Sequence, residues 1–195
     1  MQIKNNWQII IIILIIAVVI LGIILGYYLV IKQSNLSKCE KIQDQADRDV
    51  CYRNLAKLKN DLSICDKIND QITKNYCYMD IAIVKKDLFT CGKIEDQAFK
   101  NICFGGVAGA KKDVSICDKI QSYKSLCYRN VALAEKNLLI CDKMQDQTDK
   151  DYCYSDIASI KQDILICDKI EDQLDKDVCY KYLAVAKNDA SICKK

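Results

Sequence analysis

The sequence predicts an all-α chain: an N-terminal transmembrane helix followed by a disulfide-stapled α-solenoid of six helical hairpins and a partial seventh. Three observations predict it. Residues 9–31 form an uncharged apolar run, a 26-residue repeat starts at Asn35, and each full repeat carries two cysteines at matching places. A fixed period of this length is the mark of a repeat architecture. The resulting divisions are a short flank (1–8), the anchor (9–31), a linker (32–34) and the Cys-repeat solenoid (35–195).

The apolar run comes first. At about 1.5 Å per residue, a helix over 9–31 spans a ~30 Å hydrocarbon layer. Trp7 at one end and Tyr27 and Tyr28 at the other suit the two interfaces. A cleaved signal peptide is the rival reading, but its apolar part is normally about 7–15 residues and ends at a small-residue cleavage site. This run is longer and no Ala-x-Ala follows it. Gly22 and Gly26 have the spacing that lets two membrane helices approach and dimerise. The expectation is therefore a single-pass protein of the cell membrane, in contact with lipid through this helix.

The repeats begin at Asn35, Asp61, Asp87, Asp113, Asn137, Asp163 and Asp189, with one unit of 24 residues. Each opens on an Asp or Asn, an N-cap residue type. Ser63 with Asp66, and Ser115 with Asp118, have capping-box spacing. In the second unit this predicts a short first helix ending near Ile68. A polar break containing Asp-Gln follows, then a longer helix over about 72–86. Its apolar positions, Ile72, Tyr76, Cys77, Ile81, Ala82 and Val84, form a stripe wide enough for a helix sandwiched between neighbouring units. No hairpin dipeptides or alternating runs signal strands. A single hairpin has little core, so stacking must bury a continuous one.

The cysteines lie twelve apart within five units and ten apart in the fourth, whereas the interval between units is always fourteen. The fourth unit has lost two residues between Cys117 and Cys127. Turns tolerate deletion and phased helices do not, so the turn lies between the two cysteines of one unit. The predicted pairs are Cys39–Cys51, Cys65–Cys77, Cys91–Cys103, Cys117–Cys127, Cys141–Cys153 and Cys167–Cys179. Such bonds persist in oxidising compartments. That places the repeats on the extracytoplasmic side, against the weak vote of Lys32, Lys38 and Lys41. Cys193 is left over, either as an idle thiol or as an intermolecular link. A homodimer through the anchor or through Cys193 is the expectation these features raise.

Other chemistry finds little support. There is no His and no Cys-x-x-Cys, so neither metal nor a cofactor is expected. The 29 basic and 26 acidic residues are interleaved, which argues against nucleic acid as a partner. No base, nucleophile or phosphate loop appears, so the chain does not read as an enzyme. The aromatics after each second cysteine (Tyr52, Tyr78, Phe104, Tyr128, Tyr154, Tyr180) read as core. In the third unit Gly105, Gly106 and Gly109 either let something approach the backbone or reflect drift, since a helical Gly costs up to ~1 kcal/mol.

The units Asp-x-Ser-x-Cys-x-Lys-Ile and Cys-Tyr-x-x-Leu-Ala, arranged as stapled hairpins over 35–195, resemble the tetratricopeptide/Sel1-like class of α-solenoids. They are nearest in spirit to secreted cysteine-rich Sel1-like proteins. They also resemble short repeats of membrane-anchored archaeal and bacterial proteins. The resemblance implies scaffolding or partner binding and transfers no functional residue. The function expected is a membrane-anchored extracytoplasmic scaffold that binds a protein or joins an envelope complex. Its partner surface would use positions that vary between units: Arg53, Asn54, Met79, Asp80, Gly105, Gly106, Arg129 and Asn130. The alternatives are an envelope enzyme or cell-wall ligand binder of Sel1-like type, and a thiol redox buffer.

Overall fold

The computed structural model describes the backbone of residues 2–194, and the side chains of residues 7, 10–26 and 36–192. Helix α1 (Gln2–Glu40) is followed by long and short helices in alternation: α2 (Gln45–Lys59), α3 (Leu62–Cys65), α4 (Gln71–Lys85), α5 (Leu88–Cys91), α6 (Gln97–Lys111), α7 (Ser115–Asp118), α8 (Lys124–Glu135), α9 (Leu138–Cys141) and α10 (Gln147–Lys161). A 3-10 turn (Ile164–Lys169), α11 (Gln173–Lys187) and a second 3-10 turn (Ala190–Lys194) complete the array. The end of α1 serves as the first helix of the first hairpin, with Leu36 and Cys39 buried. The long helices pack side by side, α2 on α4, α4 on α6, α6 on α8, α8 on α10 and α10 on α11.

The same few residue types build every unit. Asp61, Asp87, Asn137 and Asp163 accept from the backbone N–H two residues on and start the short helix. Ser63 donates to Asp61 as well, and Asp66 takes no part in a capping box: it accepts from Tyr78 instead. The Asp of the polar break is a second N-cap. Asp44, Asp70, Asp96, Asp146 and Asp172 each accept from the N–H three residues on and start the long helix. Each long helix ends on a left-handed residue, Asn60, Lys86, Lys112, Lys136, Gln162 or Asn188, at φ 52–57°. The buried Ala four residues earlier accepts its N–H and that of the next residue, as Ala56 does from Asn60 and Asp61.

Lysine pays a steric penalty in that conformation which glycine does not. Replacing Lys86, Lys112 and Lys136 with Gly is expected to stabilise the array by up to ~1 kcal/mol per site and so to raise the thermal midpoint. A calorimetric midpoint that falls would contradict this reading of the turns.

Six disulfides join the two cysteines of each full hairpin: Cys39–Cys51, Cys65–Cys77, Cys91–Cys103, Cys117–Cys127, Cys141–Cys153 and Cys167–Cys179. Their Cα–Cα distances are 5.5–5.8 Å. The ten-residue interval in the fourth unit still closes because the loss falls in the turn. There α8 begins at Lys124, behind a left-handed Tyr123 that supplies no side-chain cap. The side chain of Cys193 lies outside the described residues.

One expectation is corrected outright. Among the described residues no helix is long and apolar enough to cross a membrane. The single-pass anchor over 9–31, and the membrane localisation built on it, therefore do not stand. The side chains of the run are described over residues 10–26. Those side chains are exposed, and nothing packs within 4 Å of where a Cβ would stand at Gly22 or Gly26. Residues 27–35, with Tyr27, Tyr28 and Lys32, lie outside the described side chains, as does Lys4.

The sandwiched long helix also needs revision. Cys77, Ile81 and Ala82 are buried, but Ile72, Tyr76 and Val84 stay exposed. The neighbouring units cover a narrower arc of each long helix than the apolar stripe suggests.

Candidate functional site: the outer face of the long helices

Two polar links set the register between neighbouring units. The first uses the residue two places before the second cysteine. Asp49 is buried and accepts from the backbone N–H groups of Asn69 (3.1 Å) and Asp70 (2.8 Å) in the next unit, and from Gln45 Nε2 (2.8 Å). Asp151 repeats this with Glu171, Asp172 and Gln147. Burial raises the Asp151 carboxyl, but the N–H donors of Asp172 and Glu171 outweigh it and hold the group below the usual carboxylate range. The Gln of each Asp-Gln pair thus braces the acceptor one turn on. In the second and third units that acceptor is Asn75 or Asn101, held by Gln71 and Gln97. Asn101 donates to Ser122 of the shortened fourth unit.

The second link lies among the residues expected to contact a partner. Arg53 meets Asp80 of the next unit (Nε 3.0 Å, Nη2 2.9 Å), and its guanidinium lies 5.0 Å from the centre of the Tyr76 ring. Arg129 meets Asp156 in the same way at 2.5 Å. Both pairs are partly exposed, and such pairs contribute about 1 kcal/mol or less. They fix register more than they stabilise. Asn54 is exposed, while Met79 and Asn130 are half-buried. Gly105 is buried: a Cβ there would stand 3.2 Å from the Cα of Cys127. Gly106 is half-buried and faces Ile83.

Flanking these links is a feature that the sequence reading missed. The residue just before each second cysteine is apolar in every unit: Val50, Tyr76, Ile102, Leu126, Tyr152 and Val178. Eight residues on, it is apolar again: Leu58, Val84, Ala110, Ala134, Ile160 and Ala186. Val50, Tyr76, Tyr152 and Val178 are 37–61% exposed, and Leu58, Val84 and Ile160 are exposed as well. Tyr76 meets Phe99 edge-on across the unit boundary, with centroids 5.2 Å apart. The array thus carries repeated exposed apolar side chains along the outer face of its long helices. Writing the units in register would have shown both this stripe and the 27-residue interval from Arg53 to Asp80 and from Arg129 to Asp156.

The aromatics after the second cysteine are mainly core. Tyr78, Tyr128, Tyr154 and Tyr180 are buried, and their hydroxyls donate to Asp66, Asp118, Asp142 and Asp168. The third unit has lost both partners together, carrying Gly92 and Phe104. Burial and the carboxylate acceptor push Tyr78 and Tyr128 up to about 12. For Tyr180 the hydrogen bond to Asp168 acts first and burial second, again to about 12; Tyr154 is raised too.

A tyrosine raised above its unfolded value near 10 contributes stability that is fully present below about pH 10. That stability is lost as pH rises through the folded value. Alkaline unfolding is therefore expected to set in above about pH 10. Tyr128→Phe should cost about 1 kcal/mol at neutral pH and flatten that limb. A limb unchanged in Tyr128→Phe would contradict this.

The carboxylates with a resolved shift are all lowered. Side-chain donors lead at Asp87 (Thr90), Asp113 (Ser115) and Asp189 (Ser191), and the Thr73 N–H leads at Asp70. Such groups are fixed acceptors, poorly placed to deliver protons. Among the described residues no His, Cys, Asp and Glu side chains group as metal ligands. No protein-family model, curated protein or solved structure matches the chain.

Proposed function

We propose that this protein is a non-catalytic scaffold of an oxidising compartment that holds a protein partner along the outer face of its long helices. The observation that carries the proposal is the apolar side chain before every second cysteine, exposed in four of the six units and half-buried at Ile102 and Leu126. Exposed apolar surface of this extent is characteristic of interaction sites. The intra-unit disulfides favour an oxidising compartment, and they make the surface stiff before binding, which lowers the ordering cost of association. Assignment to the tetratricopeptide/Sel1-like class belongs to this proposal. It rests on stacked antiparallel hairpins, each closed by one disulfide.

The test places a photo-crosslinking residue at Tyr76 or Tyr152 in the full chain, with a control at exposed Lys93, which lies behind the short helix α5. Adducts in the cell that depend on the stripe positions support the reading. Adducts equally strong from Lys93, or none from the stripe, overturn it.

A further inference from the structure

A second surface lies away from the stripe. Around the junction of the fourth and fifth units a groove of about 680 Å³ opens, lined by Lys112, Lys136, Lys161 and Lys169 together with Leu138 and Leu139. None of its lining residues belongs to the stripe. Glu135 and Asp142 also line it, but Asp142 is already the acceptor of the Tyr154 hydroxyl. Among the described residues none of the four lysines forms an ion pair.

The sequence has altered the charges of this groove in both directions. Asn137 stands where the other internal units open with Asp, whereas Glu135 stands where the other full units carry Lys. Leu139 is 72% exposed. Phe89 and Leu165 hold the same register position in the third and sixth units and are exposed as well. Cationic and apolar groups therefore alternate along this edge.

We propose that the groove binds an acidic peptide segment of a partner, with carboxylates meeting Lys112, Lys136, Lys161 and Lys169 and one apolar side chain seated on Leu138 and Leu139. Lysine presents a flexible point charge, which suits carboxylates spaced along an extended chain. Glu135 and Asp142 interrupt the lysines, which suits a peptide that places its carboxylates selectively over a uniformly anionic lipid surface. The site goes beyond the stripe and can stand or fall without it.

The test uses the full oxidised chain and a labelled glutamate-rich peptide carrying one leucine, read by fluorescence anisotropy. Binding should weaken as salt rises. Lys136→Glu with Lys161→Glu should bind about tenfold more weakly, while Lys41→Glu with Lys181→Glu, the same change of net charge elsewhere, should bind as the parent does. If the first pair lowers the thermal midpoint, Lys136→Gln with Lys161→Gln serves in its place. Leu139→Ser should weaken the leucine-bearing peptide and leave an all-glutamate peptide unaffected. Equal losses in both charge-reversed pairs overturn the proposal. So does binding to phosphatidylcholine–phosphatidylserine vesicles without binding to the peptide.

Discussion

Reducing all six disulfides is expected to unfold the array at 25 °C, seen as loss of the helical circular-dichroism signal together with near-ultraviolet tyrosine and disulfide bands. The second to sixth hairpins each offer a short helix of four to six residues against a long one of twelve to fifteen. Isolated helices of that size are marginal in water. Each bond closes a loop of about a dozen residues, and the chain-entropy model gives about 3 kcal/mol for a loop that size. Both cysteines of a pair are also largely buried in the core, with Cys51 alone half-buried. A reduced hairpin thus loses its loop constraint while its neighbours lose theirs, and the stack has no unclamped unit on which to rest. A single pair replaced, Cys91→Ala with Cys103→Ala, should cost about 3 kcal/mol and leave a cooperative fold. A reduced chain that kept its thermal midpoint to within a few degrees would show that packing alone suffices.

Gly109→Ala is the second large effect expected. A Cβ at this position would stand 3.0 Å from the carbonyl oxygen of Asn130, 3.1 Å from its Cβ and 3.2 Å from its carbonyl carbon. Two of these atoms are backbone of α8 and cannot step aside by a rotamer change. The helix must shift, and overpacking of this kind costs about 1–3 kcal/mol, more than the ~1 kcal/mol of helix propensity that Ala brings. Gly105→Ala should behave in the same direction, against Cys127. Gly106→Ala is the internal control. Its Cβ would meet only side-chain atoms, Cδ1 of Ile83 at 2.6 Å and Cγ1 at 2.9 Å, which can rotate away. That substitution should be close to neutral. Denaturant midpoints of the three variants check the order, and a Gly109→Ala variant as stable as the parent would contradict the close crossing of α6 and α8.

These two effects mark where the sequence could be read and where it could not. The disulfide pairing was legible because one unit carries a deletion, and an insertion or deletion reports directly which interval is a turn. Helix content and the Asp and Asn caps of the short helices were legible for the same local reason: a cap acts within three residues of itself. The glycines of the third unit were not. Whether Gly105 and Gly109 are drift or a contact depends on how α8 lies over α6, which no local pattern encodes. The apolar stripe was misread for a related reason. A helical period shows that Tyr76 and Val84 share a side with the core residues, but only the angle between neighbouring units decides that they stay outside. The left-handed Lys86, Lys112 and Lys136 were hidden because glycine, the usual signal for that turn, is absent there. The apolar run at 9–31 invited an anchor from composition and length alone, and the described part of α1 does not sustain it.

The polar links add a constraint that composition could not reveal. Asp49 and Asp151 look like ordinary surface acids in the sequence, yet each is a buried acceptor for two backbone N–H groups of the following unit. They hydrogen-bond the first unit to the second and the fifth to the sixth, and hold the outer face in register across those two junctions. The Arg53–Asp80 and Arg129–Asp156 pairs do the same on the exposed side.

The account depends most on each hairpin carrying its own clamp. Non-reducing tryptic mapping by mass spectrometry tests this directly, because lysines fall both between Cys65 and Cys77 and between Cys77 and Cys91. The expected result is six linked peptide pairs, each joining the two cysteines of one unit, Cys117 with Cys127 among them. Peptides joining Cys77 to Cys91, or cysteines recovered mostly as free thiols from freshly prepared protein, would contradict it.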